Sequence, residues 1–289
     1  MNRSAMTRPD RKTFRPSALF IALTLVIMYI PILLVIIYSF NQSRISSVWS
    51  GFTLKWYAEL FRDRAMFEAL RNSLALAILS SLAAAILGTL GAFGASAAGG
   101  KIRSRPLSAG GKIMEYLSIL PIMIPEIILG MVFLAFFALL GLPFGLFTLV
   151  IAHTAFCIPY PFLLVKARLA GLDKSCAEAA RDLGAGEMRA FYDITLPAIL
   201  PAVVSGMLIS FAMSFDDVII SVFVTGIHTN TLPIRIYSQL KTGVSPKTNA
   251  LCTLLFIATM ALALCAAWLA RPKGARKTKK AASESPREI

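Results

Sequence analysis

The chain has 289 residues, 57% of them hydrophobic and only 15% charged, with a mean hydropathy of +0.71. A water-soluble domain carries about a quarter of its residues as charges, so this composition excludes one that meets water on every side. The net charge of +14 lies mostly in the two tails and the short loops, where membrane topology accounts for it, and is no argument for nucleic acid.

Arg3, Arg8, Arg11, Lys12 and Arg15 precede an apolar run over 18–40. That run is too long for the core of a signal peptide, and no small-x-small cleavage site follows it, so it reads as a retained first span with a kink at Pro31. Five further apolar runs, about 73–98, 114–138, 146–165, 197–225 and 250–270, each suffice to cross about 30 Å of hydrocarbon. The second is rich in small residues (Gly88, Gly91, Gly94, Ala97) that let helices approach closely. The fifth is too long for one straight helix, and a break is expected near Asp216. The predicted fold is all-α: a polytopic membrane protein of six spans over 18–270, with a basic N-tail over 1–17 and a polar, disordered C-tail over 271–289.

The N-tail, the 2–3 and 4–5 loops and the C-tail together hold 21 of the 29 Lys and Arg residues, which predicts that both termini are cytoplasmic. Two loops on the opposite side carry helix signals. In the first, Trp56, Leu60 and Phe61 share one face of an interfacial helix. In the second, Thr231 is placed as an N-cap, Pro233 in the first turn and Gly243 as the stop. Cys157, Cys176, Cys252 and Cys265 lack paired metal-ligand spacing and three lie in apolar spans, so neither a disulfide framework, a metal site nor a cofactor is expected.

One loop differs from the rest. Residues 178–197, EAARDLGAGEMRAFYDITLP, carry six charged side chains between two stretches that carry almost none. Ser175 and Glu178 have capping-box spacing, with Asp173 a rival cap. Gly184 suits the left-handed position that ends a helix. A second helix starts near Glu187 and places Met188, Phe191 and Tyr192 on one face.

Glu178-Ala179-Ala180, three residues, Gly184, nine residues, then Ile194-Thr195-Leu196-Pro197 resembles the EAA loop of ABC-importer permeases. The resemblance implies a type I, MetI-like permease in which 173–197 is a cytoplasmic coupling helix seated in a cleft of the ATPase subunit. On this reading Glu178 offers a charge, Ala179 and Ala180 allow close contact, and Leu183, Gly184, Ile194, Leu196 and Pro197 complete the coupling element. Gly186 departs from the Thr or Ser frequent in that family, a change worth a few tenths of a kcal/mol at a cap. No G-x-x-x-x-G-K-[ST] is present, so ATP hydrolysis belongs to a partner chain and this chain is not an enzyme. The implied partners are two ATPase copies, a second and different permease chain and a periplasmic binding protein, assembled in the bacterial inner membrane.

The stretches 51–61, 214–226 and 231–251 are similar to the C-type permeases of spermidine/putrescine importers, and related permeases for opines and aminoethylphosphonate share parts of them. Three acids interrupt apolar spans: Glu126, Asp216 and Asp217. An ionised carboxylate at that depth costs about 2.5–3.5 kcal/mol and faces a cavity or a partner by default. A carboxylate-lined path would favour a linear polyammonium cation. The alternative is that Asp216 and Asp217 cap a break near the outer surface, and His153 reads as a packed histidine. A secondary transporter predicts an inverted repeat between 18–138 and 146–270, which the sequence does not show. An intramembrane protease would need a G-x-S-x-G companion for His153, also absent.

Overall fold

A computed structural model describes residues 16–44, 48–98, 105–173, 175–227 and 229–269. Expectations for the two tails beyond these lie outside the described residues. Among the described residues the regular elements are helical, apart from one isolated bridge between Asn41 and Phe52. In chain order they are α1 (Pro16–Tyr38), α2 (Lys55–Arg62), α3 (Arg64–Ala98), α4 (Arg105–Met123), α5 (Glu126–Leu139), α6 (Leu146–Cys157) and α7 (Pro159–Ala170). There follow α8 (Ser175–Asp182), α9 (Glu187–Ala190), a π-helical turn (Phe191–Thr195), α10 (Leu196–Asp216), α11 (Ile219–Val224), α12 (Leu232–Thr242) and α13 (Pro246–Leu269).

The chain forms two compact units. The first, residues 1–62 and 243–289, contains α1, α2 and α13. Helix α1 continues through Pro31, and its apolar side chains from Leu19 to Ile30 are exposed, as a lipid-facing helix requires. Helix α2 is anchored by hydrogen bonds. The Trp56 indole Nε1–H donates to the Asn41 carbonyl at 2.6 Å, and the Tyr57 and Ser39 hydroxyls meet at 2.7 Å. Trp56 and Leu60 are buried as their spacing predicts, but Phe61 is 63% exposed. At 100° per residue, Phe61 lies about 120° from the centre of the Trp56 and Leu60 face, so it points away from it.

The second unit, residues 63–242, is organised on α3, a 35-residue helix that packs against α10, α7, α6 and α4. It starts nine residues before the span expected at 73, because the amphipathic stretch after Arg64 continues it without a break. Its small residues serve close packing: a Cβ at Gly88 would stand 2.8 Å from the Pro161 ring of α7. One core cluster joins Leu76, Phe137, Leu149, Phe156 and Ile220, and a second joins Phe162, Val165 and Ile199. Helices α6 and α7 together form a 25-residue apolar segment.

The third expected span, 114–138, is the main departure. It consists of two helices bent by 109° between Met123 and Glu126. Pro125 lacks an N–H to continue α4, and its ring pushes Ile124 out of helical conformation. Helix α5 then starts afresh, with Leu129 N–H donating to the Pro125 carbonyl at 3.1 Å. The fifth span does break where expected, between Asp216 and Ile219.

Helix α12 starts at Leu232 and ends before Gly243, whose φ of +113° is accessible to glycine and costly for other residues. Thr231 holds the cap position, yet the Ser73 hydroxyl of α3 accepts the Leu232 N–H instead, at 2.8 Å. An Asp63–Arg235 ion pair at 3.7 Å adds to the same α3–α12 attachment. Among the described residues four helices are long and apolar enough to cross a membrane, and the bent α4–α5 pair makes a fifth if counted as one span.

Candidate functional sites at two broken helices and a charged loop

Two of the acids that interrupt the apolar spans stand at helix breaks. Glu126 is the first residue of α5 and is half-buried, while Asp216 is the last residue of α10 and is exposed. Helices α5 and α11 pack directly, so close that a Cβ at Gly130 would lie 2.6 Å from the Phe223 ring. This packing brings the two breaks together. Glu126 lies within electrostatic range of Asp217 and Asp216, and Tyr160 of α7 lies within range of Glu126 and Asp216. Acids from separate spans therefore share one neighbourhood. Broken helices in a membrane leave unpaired backbone groups and a polar opening, which is where polar solutes and ions are held.

Asp217 has a different environment from Asp216. It is 8% exposed, and its backbone (φ −64°, ψ 130°) leaves the helical conformation there, which ends α10. Its carboxylate accepts the N–H of Ile220 at 3.2 Å and that of Ser221 at 2.8 Å, which caps α11. His153 Nε2 of α6 stands 3.4 Å from Asp217 Oδ2 and 3.1 Å from Ser221 Oγ. On its other side His153 Nδ1 meets Ser214 Oγ at 2.9 Å, and Ser80 Oγ of α3 donates to Ser214 at 2.9 Å. One turn away, Ser210 Oγ donates to the Cys157 carbonyl at 3.2 Å and the Cys157 thiol donates to the Ser210 carbonyl at 3.5 Å. Sequence reading treated His153 as merely packed and passed over these serines. Their pairing one turn apart, 153 with 157 and 210 with 214, was the available signal.

The charged loop folds as two helices with a glycine turn. Asp173 Oδ1 accepts the Ser175 N–H at 2.9 Å, so Asp173 caps α8, and this bond holds its carboxyl below the usual carboxylate range. At the other end Gly184 has φ +89°, and the Ala185 N–H donates to the Ala180 carbonyl at 2.9 Å, closing a Schellman turn. Ala179, Leu183 (89% exposed), Met188 and Tyr192 are exposed, whereas Phe191 packs edge-on against Phe93 with centroids 4.9 Å apart. The side chains of Glu178 and Glu187 lie outside the described residues. Ile194 and Leu196 are half-buried, and Pro197, with no N–H for the Asp193 carbonyl, accompanies a π turn in which Leu196 N–H reaches back to the Phe191 carbonyl.

This fold is shared with chains of solved ABC transporters. The chain superposes with a TM-score of 0.67 and 15% identity on a chain of a bacterial ABC transporter involved in the import of the acidic polysaccharide alginate, covering 92% of this chain and 98% of the other. A chain of the MetNI methionine ABC transporter in an inward-facing conformation matches at TM-score 0.57 and 18% identity, over 74% of this chain and 95% of that one. Residues 90–272 match the binding-protein-dependent transport system inner membrane component family, and the chain belongs to that family.

Its relatives include the spermidine/putrescine transport system permease protein PotC of Escherichia coli (strain K12), 37% identical over 246 residues, or 85% of this chain and 90% of PotC. The putrescine transport system permease protein PotI of the same organism is 38% identical over 234 residues, or 79% of this chain and 81% of PotI. The chain is thus an inner-membrane permease subunit of an ABC importer, with a role in transport rather than catalysis. Such a subunit works with an ATPase, a second permease and a substrate-binding protein.

Proposed function

We propose that this chain forms one half of the translocation path of a polyamine importer and conducts spermidine, putrescine or both. The carrying observation is its 37–38% identity, over most of its length, to the PotC and PotI permeases. The meeting of Glu126, Asp216 and Asp217 supports the reading, because a linear polyammonium ion needs successive anionic partners as it sheds water. Tyr160 adds a hydroxyl and an aromatic face to the same neighbourhood.

The rest of the arrangement follows from this role. Six spans cover 18–270, with α4–α5 as one bent span and α13 as the sixth, and both tails, 1–17 and 271–289, are cytoplasmic. Segment 173–197 docks on the ATPase through Glu178, Ala179, Ala180 and Leu183, with Gly184 setting the turn and Ile194, Leu196 and Pro197 carrying the motion into α10. Two ATPase copies drive alternating access, a second, different permease chain completes the path, and a periplasmic protein delivers the substrate. No covalent chemistry occurs in this chain.

The test is ATP hydrolysis by the reconstituted complex with its binding protein. Stimulation by spermidine or putrescine, and none by aminoethylphosphonate or an opine, is the expected pattern. The reverse pattern would keep the importer and overturn the polyamine substrate.

A further inference from the structure

We infer that Glu115 and Lys166 are positioning residues for coupling: their ion pair fastens α4 to the helices that flank the charged loop, so that movement of the loop reaches the bend before Glu126. The inference rests on the reading of 173–197 as the ATPase-docking segment.

The two ends of the loop share one root. Leu172, where the loop begins, and Leu196, where it ends, both pack against the buried cluster of Phe162, Val165 and Ile199. Arg168 of α7 also donates its Nε–H to the Ala198 carbonyl of α10 at 3.0 Å. Helices α7 and α10 are thus fastened together where the loop leaves and returns, and a close-packed interior transmits a load rather than absorbing it.

Helix α4 packs along α3 but is held more loosely toward α6 and α7. Ile113, Tyr116 and Leu117 are exposed. A cleft of about 460 Å³ separates part of α4 from Ala155 and Ile158, with Met114, Ser118 and Pro121 on the α4 side. Ile119 reaches the α7 cluster, and one turn earlier Lys166 Nζ pairs with Glu115 Oε1. The two side chains are 33% and 36% exposed. Each belongs to an apolar segment, Glu115 to Gly110–Met123 and Lys166 to Leu146–Ala170, where an unpaired charge is costly and screening is weaker than on a wet surface. Coulomb attraction also falls off slowly with distance, so the pair keeps α4 tethered through small displacements that would break an apolar contact. About two turns beyond Glu115, α4 ends at Met123 and the chain bends by 109° into α5, which Glu126 begins.

The experiment reads movement at the bend and needs no knowledge of the solute. Met123→Cys, at an exposed position, is placed in the assembled importer with Cys157, Cys176, Cys252 and Cys265 replaced by Ala. Its labelling by a fluorescent maleimide is followed on the separated chain. With the pair intact, trapping the ATPase with ATP and orthovanadate should change the labelling rate by at least about threefold. Glu115→Gln or Lys166→Gln should shrink that response to less than about 1.5-fold, with the ATPase still bound and still inhibited by vanadate. Exchanging the charges, Glu115→Lys together with Lys166→Glu, should restore most of the response. A pair that served stability alone would lower the yield of complex and leave the response of the surviving complexes unchanged. If neither neutral variant assembles, the exchange decides, and an assembled exchange complex without a response overturns the inference. A full response in an assembled single variant, or none in the complex with the pair intact, overturns it as well. Failure of the docking reading shows separately, as undiminished ATPase binding and an undiminished labelling response in Gly184→Glu.

Discussion

Gly184 allows the docking geometry to be separated from the docking chemistry. Its φ of +89° is the left-handed turn between α8 and α9, and no atom lies within 4 Å of where a Cβ would stand. Gly184→Ala therefore meets no steric block and pays only the left-handed strain of an L-residue, about 1–2 kcal/mol. If the turn must hold its shape to seat in the ATPase, that strain lowers the docked population by about 5–30-fold at subsaturating ATPase. Gly184→Asn, which tolerates the left-handed region, should lose only a fraction of this. Gly184→Glu adds charge and bulk beside the exposed Leu183 and should abolish coupling with normal membrane insertion. Co-purification of the ATPase with the permease, together with ATP-driven uptake at matched expression, ranks the series as Gly, Asn, Ala, Glu. Equal behaviour of Ala and Asn would refute the conformational argument, and full uptake by Gly184→Glu would refute docking at this loop.

Neutralising the acids at the breaks should act on the rate rather than on capture. Glu126→Gln and Asp216→Asn are each expected to lower maximal uptake by about 3–10-fold, the loss of one charge-assisted contact at a partly solvated site, with the half-saturating concentration unchanged. Uptake curves at matched abundance check this. Ser73→Ala orphans the buried N–H of Leu232 and should destabilise the second unit by about 1–3 kcal/mol, read as a lower midpoint for thermal aggregation in detergent. The cap formed by Asp173 carries a pH dependence of definite sign. Its folded-state carboxyl titrates below the ordinary range, so the cap is present at neutral pH and lost as pH falls through that lowered value. Faster amide exchange in α8 below that point, absent in Asp173→Asn, is the expected result.

How much of this was legible in the sequence depended on the kind of signal. The glycine turn at 184 and the stop at 243 were readable because positive φ selects one residue type, and both glycines have it. The break at 216 was readable from length alone, since a straight helix over 197–225 overshoots a bilayer. The break at 123–126 was missed although Pro125 stands in plain view, because apolar residues on both sides average into one hydrophobic run. The convergence of Glu126 with Asp216 was hidden for another reason: hydropathy gives depth in the membrane, while partnership depends on which helices touch, and that depends on the α5–α11 contact. His153 looked solitary because two of its partners are serines, ordinary in membrane helices, and the third, Asp217, lies on another span.

The central claim is most directly tested by uptake of labelled spermidine and putrescine in cells lacking their own polyamine importers and supplied with this chain and its natural partner subunits. The account predicts uptake that requires an active ATPase and falls when Asp216→Asn is introduced. An assembled, ATPase-bound complex that takes up neither polyamine would contradict it.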